Sequence, residues 1–247
     1  MPPLRIDEKA ERSGLSAGVY DGVARSTVNA AAALERLREG NARFASNVRS
    51  ISSLISQERR AEHAAVQAPF AIVLGCSDSR APAEIVFDLG LGDLFVIRVA
   101  GNIVAPSQVG SVEFAADRFG TTLVVVMGHT HCGAIDATID TVLQSSQAQP
   151  SRNLLSIVDR IRPTVTPLMR TELARDRVAL AREAIRANVR VSVDHLRHGS
   201  PVLEQLTLSK GLAIVGAEYD IETGVVDFFD GVEDAVSKSY PPPPVAR

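Results

Sequence analysis

The sequence predicts an α/β protein: a central, mostly parallel β-sheet flanked by helices, with an N-terminal helical arm and a C-terminal antiparallel edge strand. Three observations carry this. The runs FAIVLGCS, LFVIRVAG and TTLVVVMGHT are rich in β-branched and aromatic residues and bounded by Gly, Asp or Ser. They are apolar on both alternations, as strands covered on two faces are. Between them lie PAEIVFDLG and VGSVEFAADRFG, which have helical period and end on Gly90 and Gly120, residues that readily stop a helix. Strand, helix, strand, helix, strand is the order of a parallel sheet with right-handed crossovers.

The remaining elements follow in order. Residues 1–26 are polar and contain Gly and Ser, which marks an arm. STVNAAAALERLREGNARFASN places Val28, Ala31, Leu34, Leu37 and Phe44 at roughly helical spacing, with Ser26 or Thr27 as the cap. A helix is expected from Ala134 to Gln144. NLLSIVDRIRPTVTPLMR reads as helical until Pro163 and Pro167 kink or stop it. DRVALAREAIRANVRVSVDHLRHG is a long amphipathic helix. LAIVGAEYDIETGVVDFF reads as a strand, a turn at residues 222–224 and an antiparallel edge strand. Residues 27–236 then form one domain, and the stretch 237–247, with its YPPPPVAR end, is a polyproline-like tail.

At 247 residues the chain is long enough to bury a full core. A net charge of -3 and a pI near 6.0 provide no basic field for nucleic acid or anionic membrane. No segment reaches the roughly 18 apolar residues of a membrane span, and the start mixes both charges without a signal-peptide core, so a cytoplasmic protein is expected. In a reducing compartment a chain's two cysteines, here Cys76 and Cys132, are more often catalytic or metal-binding than disulfide-bonded.

Chemistry-bearing residues concentrate in two segments. GCSDSR follows the first strand of the sheet and GHTHCGA follows the third, and ligands of open α/β sheets sit beyond the carboxyl ends of the strands. Adjacent strands bring both segments to one edge. His129 and Cys132, three apart on a turn opening into a helix, can share a face. With Cys76 they make two thiolates and one imidazole, a ligand set for tetrahedral zinc with one vertex left for water, substrate or a carboxylate. The missing fourth Cys or His suits an open, catalytic site rather than a structural one.

CSDSR followed by HTHC resembles the β-class carbonic anhydrases. The resemblance extends to LREGNARF, QAPF, RVAGN, GSVEFA and GHTHCGA, in the family's order, covering about Ala31 to Asp136 closely and the last strands loosely. It implies zinc on Cys76, His129 and Cys132, and reversible hydration of carbon dioxide to bicarbonate and a proton by hydroxide on the zinc. Asp78 and Arg80 are implied as the dyad beside it. Two thiolates neutralise the dication, so bound water is acidified less than by three imidazoles. An ionised Asp78 can accept the hydrogen bond that orients the nucleophile, and a bidentate pair with Arg80 keeps Asp78 off the metal. With the pair broken, Asp78 can itself take the fourth vertex.

The resemblance also implies that Gln67 donates to a bicarbonate oxygen, that Phe95, Ala100 and Phe114 line an apolar carbon dioxide pocket completed by a second subunit, and that Gly133 offers a backbone N–H. It implies a homodimer or homotetramer, with residues 1–47 as an embracing arm. Two departures stand out. Val73 occupies the place of a tryptophan found in members with a noncatalytic bicarbonate site, although Arg98 matches that site's arginine, and Ala81 replaces the usual valine after SDSR. Carbon disulfide or carbonyl sulfide hydrolysis on the same ligands, or a catalytically silent zinc-stabilised scaffold, are the alternatives. His131 is expected to point outward, Gly101 and Asn102 to shape a turn, Glu84 and Asp88 to cap or pack, and His63, His195 and His198 to be solvated.

Overall fold

The computed structural model describes residues 24–50, 64, 66–143 and 151–237. Most of the expected arm and all but Ser237 of the expected tail, together with His63 and Gln144, lie outside the described residues. The strands are β1 (Ala71–Gly75), β2 (Leu94–Arg98), β3 (Leu123–His129), β4 (Ala213–Tyr219) and β5 (Val226–Asp230). They form one sheet in the order β2-β1-β3-β4-β5; the first four are parallel and β5 runs antiparallel to β4. The chain places β2 on one side of β1 and β3 on the other, so the strand order reverses between β1 and β3. That is the topological switch point where open sheets bind ligands.

The helices are α1 (Ala30–Ala45), α2 (Ala83–Val86), α3 (Pro106–Phe119), α4 (Gly133–Val142), α5 (Arg152–Leu168), α6 (Arg177–His198), α7 (Pro201–Ser209) and α8 (Val232–Ser237). Leu34 and Leu37 of α1 pack with Val73, Phe87, Val125 and Val215 on one face of the sheet. Val112 and Phe119 of α3 and Val189, Val193 and Leu196 of α6 pack with Ile72, Leu74, Val124 and Val126 on the other. A third cluster holds Cys76, Ile103, Cys132, Ile135, Ile161, Val165 and Ile185, so both sulfurs sit in an apolar bed. Among the described residues no helix is long and apolar enough to cross a membrane.

Several elements differ from the sequence reading. The cap of α1 is Asn29, whose Oδ1 accepts from the Ala32 N–H at 2.9 Å, rather than Ser26 or Thr27. β2 is half-exposed, because it is an edge strand, whereas β1 and β3 are buried throughout. α2 is a single turn that ends before Gly90. Asp88 takes the left-handed conformation (φ 48°), Leu89 N–H reaches the Glu84 carbonyl, and Asp88 N–H the Ile85 carbonyl, closing the helix as a glycine usually does. The buried Asp88 carboxylate pairs with Arg43 at 2.7 Å and accepts from the Ser50 N–H, which explains an aspartate there.

α5 runs through Pro163 and ends one residue past Pro167. Both prolines are exposed, as is Asp159, whose carbonyl loses its partner to Pro163, so water can serve the freed acceptors. The opposite face buries Val158, Ile161 and Val165, which outweighs the cost of about 3 kcal/mol per interior proline. The sequence reading did not include α7, capped by Ser200, or α8.

Asn41 fastens α1 to the β4–β5 hairpin. Its Nδ2 donates to the Val86 carbonyl at 3.2 Å and the Gly224 carbonyl at 2.8 Å, and its Oδ1 accepts from the Val226 N–H at 2.8 Å, all buried. Asn41→Ala would leave these backbone groups unpaired and is expected to destabilise the fold by about 3 kcal/mol. Urea denaturation checks this; a loss below about 0.5 kcal/mol would contradict it.

Candidate metal centre

Cys76 immediately follows β1, and His129 is the last residue of β3; because β1 and β3 pair directly, the two side chains start from neighbouring strand ends. His129 and Cys132 do not share a helix, as the spacing alone suggested. The chain leaves β3, Thr130 N–H bonds to the Tyr219 carbonyl, and His131 adopts φ 56°. That left-handed residue turns the chain so that Cys132 becomes the N-cap of α4. The result is convergence: one ligand-capable atom from each of Cys76, His129 and Cys132 lies within 4.8 Å of the others, and all three residues are buried.

The donor set fits a metal ion on two grounds. His129 Nδ1 sits 2.8 Å from the Thr130 carbonyl, which makes Nδ1 the protonated nitrogen and leaves the lone pair on Nε2. That Nε2 is buried with no partner. A metal ligand held by a backbone carbonyl through its other nitrogen has this arrangement. The two sulfurs supply the second ground. A hydrogen bond from the Cys132 thiol, with others from the Gly101 and Asp78 backbone, outweighs burial and pulls the Cys76 thiol down. The same bond, together with burial, pushes Cys132 up. Cys76 is therefore the sulfur that gives up its proton more readily, and a cation arriving between the sulfurs replaces the proton they share.

Asp78 and Arg80 lie at the mouth of this group. Arg80 grips both carboxylate oxygens, Nε to Oδ1 at 2.9 Å and Nη2 to Oδ2 at 2.8 Å, and the Arg80 N–H also donates to Oδ1. These bonds hold Asp78 well below the usual carboxylate range and raise Arg80 in return. Asp78 Oδ2 is 3.9 Å from the orphaned His129 Nε2. Arg80 Nη2 also donates to the His131 carbonyl at 3.2 Å, joining the two loops.

Arg98 straps the first loop. As the β2 partner of Gly75 it reaches past the end of β1, donating from Nε to the Cys76 carbonyl at 2.8 Å and from Nη2 to the Asp78 carbonyl.

The other expected site residues are spread more widely. Gln67 is exposed in the segment before β1, and Gly133 opens α4 with open space at its Cβ position. Ala100 starts the 3-10 turn Ala100–Asn102, next to Gly101, whose N–H donates to Cys76 Sγ at 3.3 Å. Phe95 and Phe114 are not brought to the sulfurs within one chain. They pack together with Phe119, with ring centroids 5.7–6.2 Å apart, and Phe95 lies on β2 opposite Ile72.

Gly101 and Asn102 shape a turn, as expected. His131 is exposed and its ring lies 3.3 Å from Glu222. His195 and His198 are exposed, Glu84 is exposed at the start of α2, and Asp88 packs under α1 as described. The sequence reading missed Asn188 and Ser192 of α6, which hold the Gly101–Asn102 turn. Their signal was present: two polar residues four apart in the apolar stripe of an amphipathic helix.

A family model described as carbonic anhydrase matches residues 71–226, a span from β1 to the first residue of β5. The chain is 36% identical to carbonic anhydrase 2 of Mycobacterium tuberculosis over 196 residues, 79% of this chain and 91% of the relative. It is 36% identical to a carbonic anhydrase of Mycolicibacterium smegmatis over 199 residues, 81% and 93% of the two chains. One of the two tetrameric β-carbonic anhydrases of Sordaria macrospora shares the fold with a TM-score of 0.60 at 23% identity, over 70% of this chain and 89% of that one. With the sheet order, the converging Cys, His and Cys and a match across most of the chain in agreement, the protein belongs to the β-class carbonic anhydrases.

Proposed function

We propose that Cys76, His129 and Cys132 hold a zinc ion and that the protein catalyses the reversible hydration of carbon dioxide to bicarbonate and a proton. The observation that carries this reading is the convergence of the three donors around an orphaned His129 Nε2. Two thiolates and an imidazole in tetrahedral array select zinc among common divalent ions. When bound, zinc supplies a Lewis acid that makes hydroxide available near neutral pH.

The protein's own residues do the rest. Asp78, kept ionised and drawn aside by Arg80, accepts a hydrogen bond from the attacking oxygen and so aims its lone pair at carbon. The bidentate clasp also keeps the carboxylate from competing for the metal that Cys76, His129 and Cys132 would hold. Ala100 and the apolar bed around the sulfurs favour apolar carbon dioxide over water, and the Gln67 amide and Gly133 N–H serve bicarbonate oxygens. Phe95 and Phe114 contribute to the pocket in an assembly of two or four copies. In one chain Phe114 is 45% exposed, an apolar surface that a second copy would cover.

Stopped-flow hydration of carbon dioxide tests the activity. Turnover that is present as purified, lost on chelation and restored by one equivalent of zinc is expected; a zinc-loaded protein inactive from neutral to alkaline pH would refute the reading.

Bicarbonate is not expected to regulate the enzyme from a second site. Val73 lacks the ring and N–H of tryptophan, and Arg98 already uses Nε and Nη2 on the Cys76 and Asp78 carbonyls. Crystals soaked in bicarbonate should show it at the metal only; density for bicarbonate beside Arg98, away from the metal, would overturn this expectation.

A further inference from the structure

Asn188 and Ser192 are buried polar residues in the otherwise apolar face of α6. Spaced four apart, they lie one helical turn above each other. Both hydrogen-bond to the same short turn: Asn188 Nδ2 donates to the Gly101 carbonyl at 2.8 Å and Ser192 Oγ to the Asn102 carbonyl at 3.1 Å. That turn holds two consecutive residues in the left-handed region, Gly101 at φ 69° and Asn102 at φ 42°. Glycine adopts this region freely and asparagine readily, so the turn's orientation depends on the contacts that hold it. A Cβ on Gly101 would meet Ile161 Cδ1 at 2.7 Å, so the turn is also pressed against α5. At its amino side, Gly101 donates its N–H to Cys76 Sγ at 3.3 Å. An unbroken path of contacts therefore leads from the Asn188 amide through both ends of Gly101 to the sulfur of Cys76.

We infer that Asn188, aided by Ser192, is a positioning residue for the metal centre. By fixing the Gly101 carbonyl it aims the Gly101 N–H at Cys76 Sγ, and so limits how much charge that sulfur donates to the metal. This rests on the zinc-site reading above. An N–H···S bond withdraws charge from a thiolate, and such outer partners tune both affinity and electrophilicity of a bound metal. Without Asn188 the Gly101 carbonyl would be buried and unpaired. Glycine's wide φ/ψ freedom would let the turn rotate to relieve that, carrying the N–H off the sulfur.

The test uses full-length protein loaded with cobalt(II) in place of zinc, read by the sulfur-to-cobalt charge-transfer band and by chelator competition for the metal. Asn188→Leu keeps similar volume without a donor. Its band is expected at lower energy than in the wild type because the sulfur is richer in charge, and cobalt is expected to bind about tenfold more weakly because the loosened turn no longer holds Cys76 in place. Ser192→Ala should move both in the same direction by less. Asn41→Ala, which also removes a buried amide but at the α1–β5 corner, should lose stability while leaving the band in place. A folded Asn188→Leu protein with wild-type band and affinity would overturn the inference. So would an equal band shift in Asn41→Ala, since general loosening would then account for it. Should Asn188→Leu fail to fold, Ser192→Ala decides, and an unmoved band overturns the inference. A wild-type protein with no sulfur-to-cobalt band defeats the metal-site reading itself and this inference with it.

Discussion

Cys76→Ser is expected to yield a folded protein that loses its metal on dialysis and hydrates carbon dioxide no faster than buffer, a fall of at least about a thousandfold in kcat/KM. The reason is the state of this sulfur. Cys76 is pulled down, first by the Cys132 hydrogen bond, so it gives up its proton to an arriving metal more readily than an ordinary thiol does. A serine hydroxyl does not ionise there and is a poor partner for a thiophilic cation. Removing an outer-shell partner costs metal affinity 10–100-fold, and removing one of three direct ligands costs more. Cys76 is one member of an apolar cluster with Ile103, Ile135 and Ile161, and serine has nearly its size and shape, so circular dichroism should remain that of the wild type. Metal content by mass spectrometry and stopped-flow rates check this. A Cys76→Ser protein with one full equivalent of zinc and undiminished turnover would contradict it.

Arg80→Leu is the second large effect, and its cause differs. The metal should remain, while kcat/KM falls about a hundredfold, in the range expected for loss of a positioned acid–base group. With the clasp gone, the Asp78 carboxylate, which stands 3.9 Å from His129 Nε2, would be free to compete with solvent for a metal held by the three donors. A second substitution separates blocking from simple loss. If the freed carboxylate blocks the site, adding Asp78→Asn to Arg80→Leu should not slow the enzyme further and should partly restore it; a further large drop would contradict blocking.

The pH dependence has a definite sign. Asp78 is depressed in the folded protein, so the stability contributed by the pair is present above the unfolded carboxyl value of about 3.9 and is lost as pH falls through the lower folded value. Arg80 is exposed, so this contribution is small. Activity changes between pH 6 and 9 therefore belong to another group than Asp78.

The sheet and the donors were legible in the sequence because both follow from local pattern. Strands buried on two faces must be apolar throughout, and Cys76 and His129 sit one step beyond or at the end of such runs. What the sequence did not give away depends on contacts between distant segments. The stop of α2 is made by Asp88, whose carboxylate is held by Arg43 in the last turn of α1 and by the Ser50 N–H in the segment after it. α5 survives two prolines because its buried face, not its local propensity, decides. The Arg98 strap needs β2 to be the neighbour of β1, and the grip of Asn188 on Gly101 joins residues 87 apart in sequence. Phe95 and Phe114 mark a different limit: within one chain they pack with Phe119, and their part in a pocket rests on the proposed assembly.

Zinc K-edge X-ray absorption of the purified protein tests the central claim most directly. The account predicts two sulfur neighbours at about 2.3 Å and two nitrogen or oxygen neighbours at about 2.0–2.1 Å, one of the light atoms exchangeable with solvent. A four-sulfur shell, a shell without sulfur, or a fully active protein without zinc would contradict it.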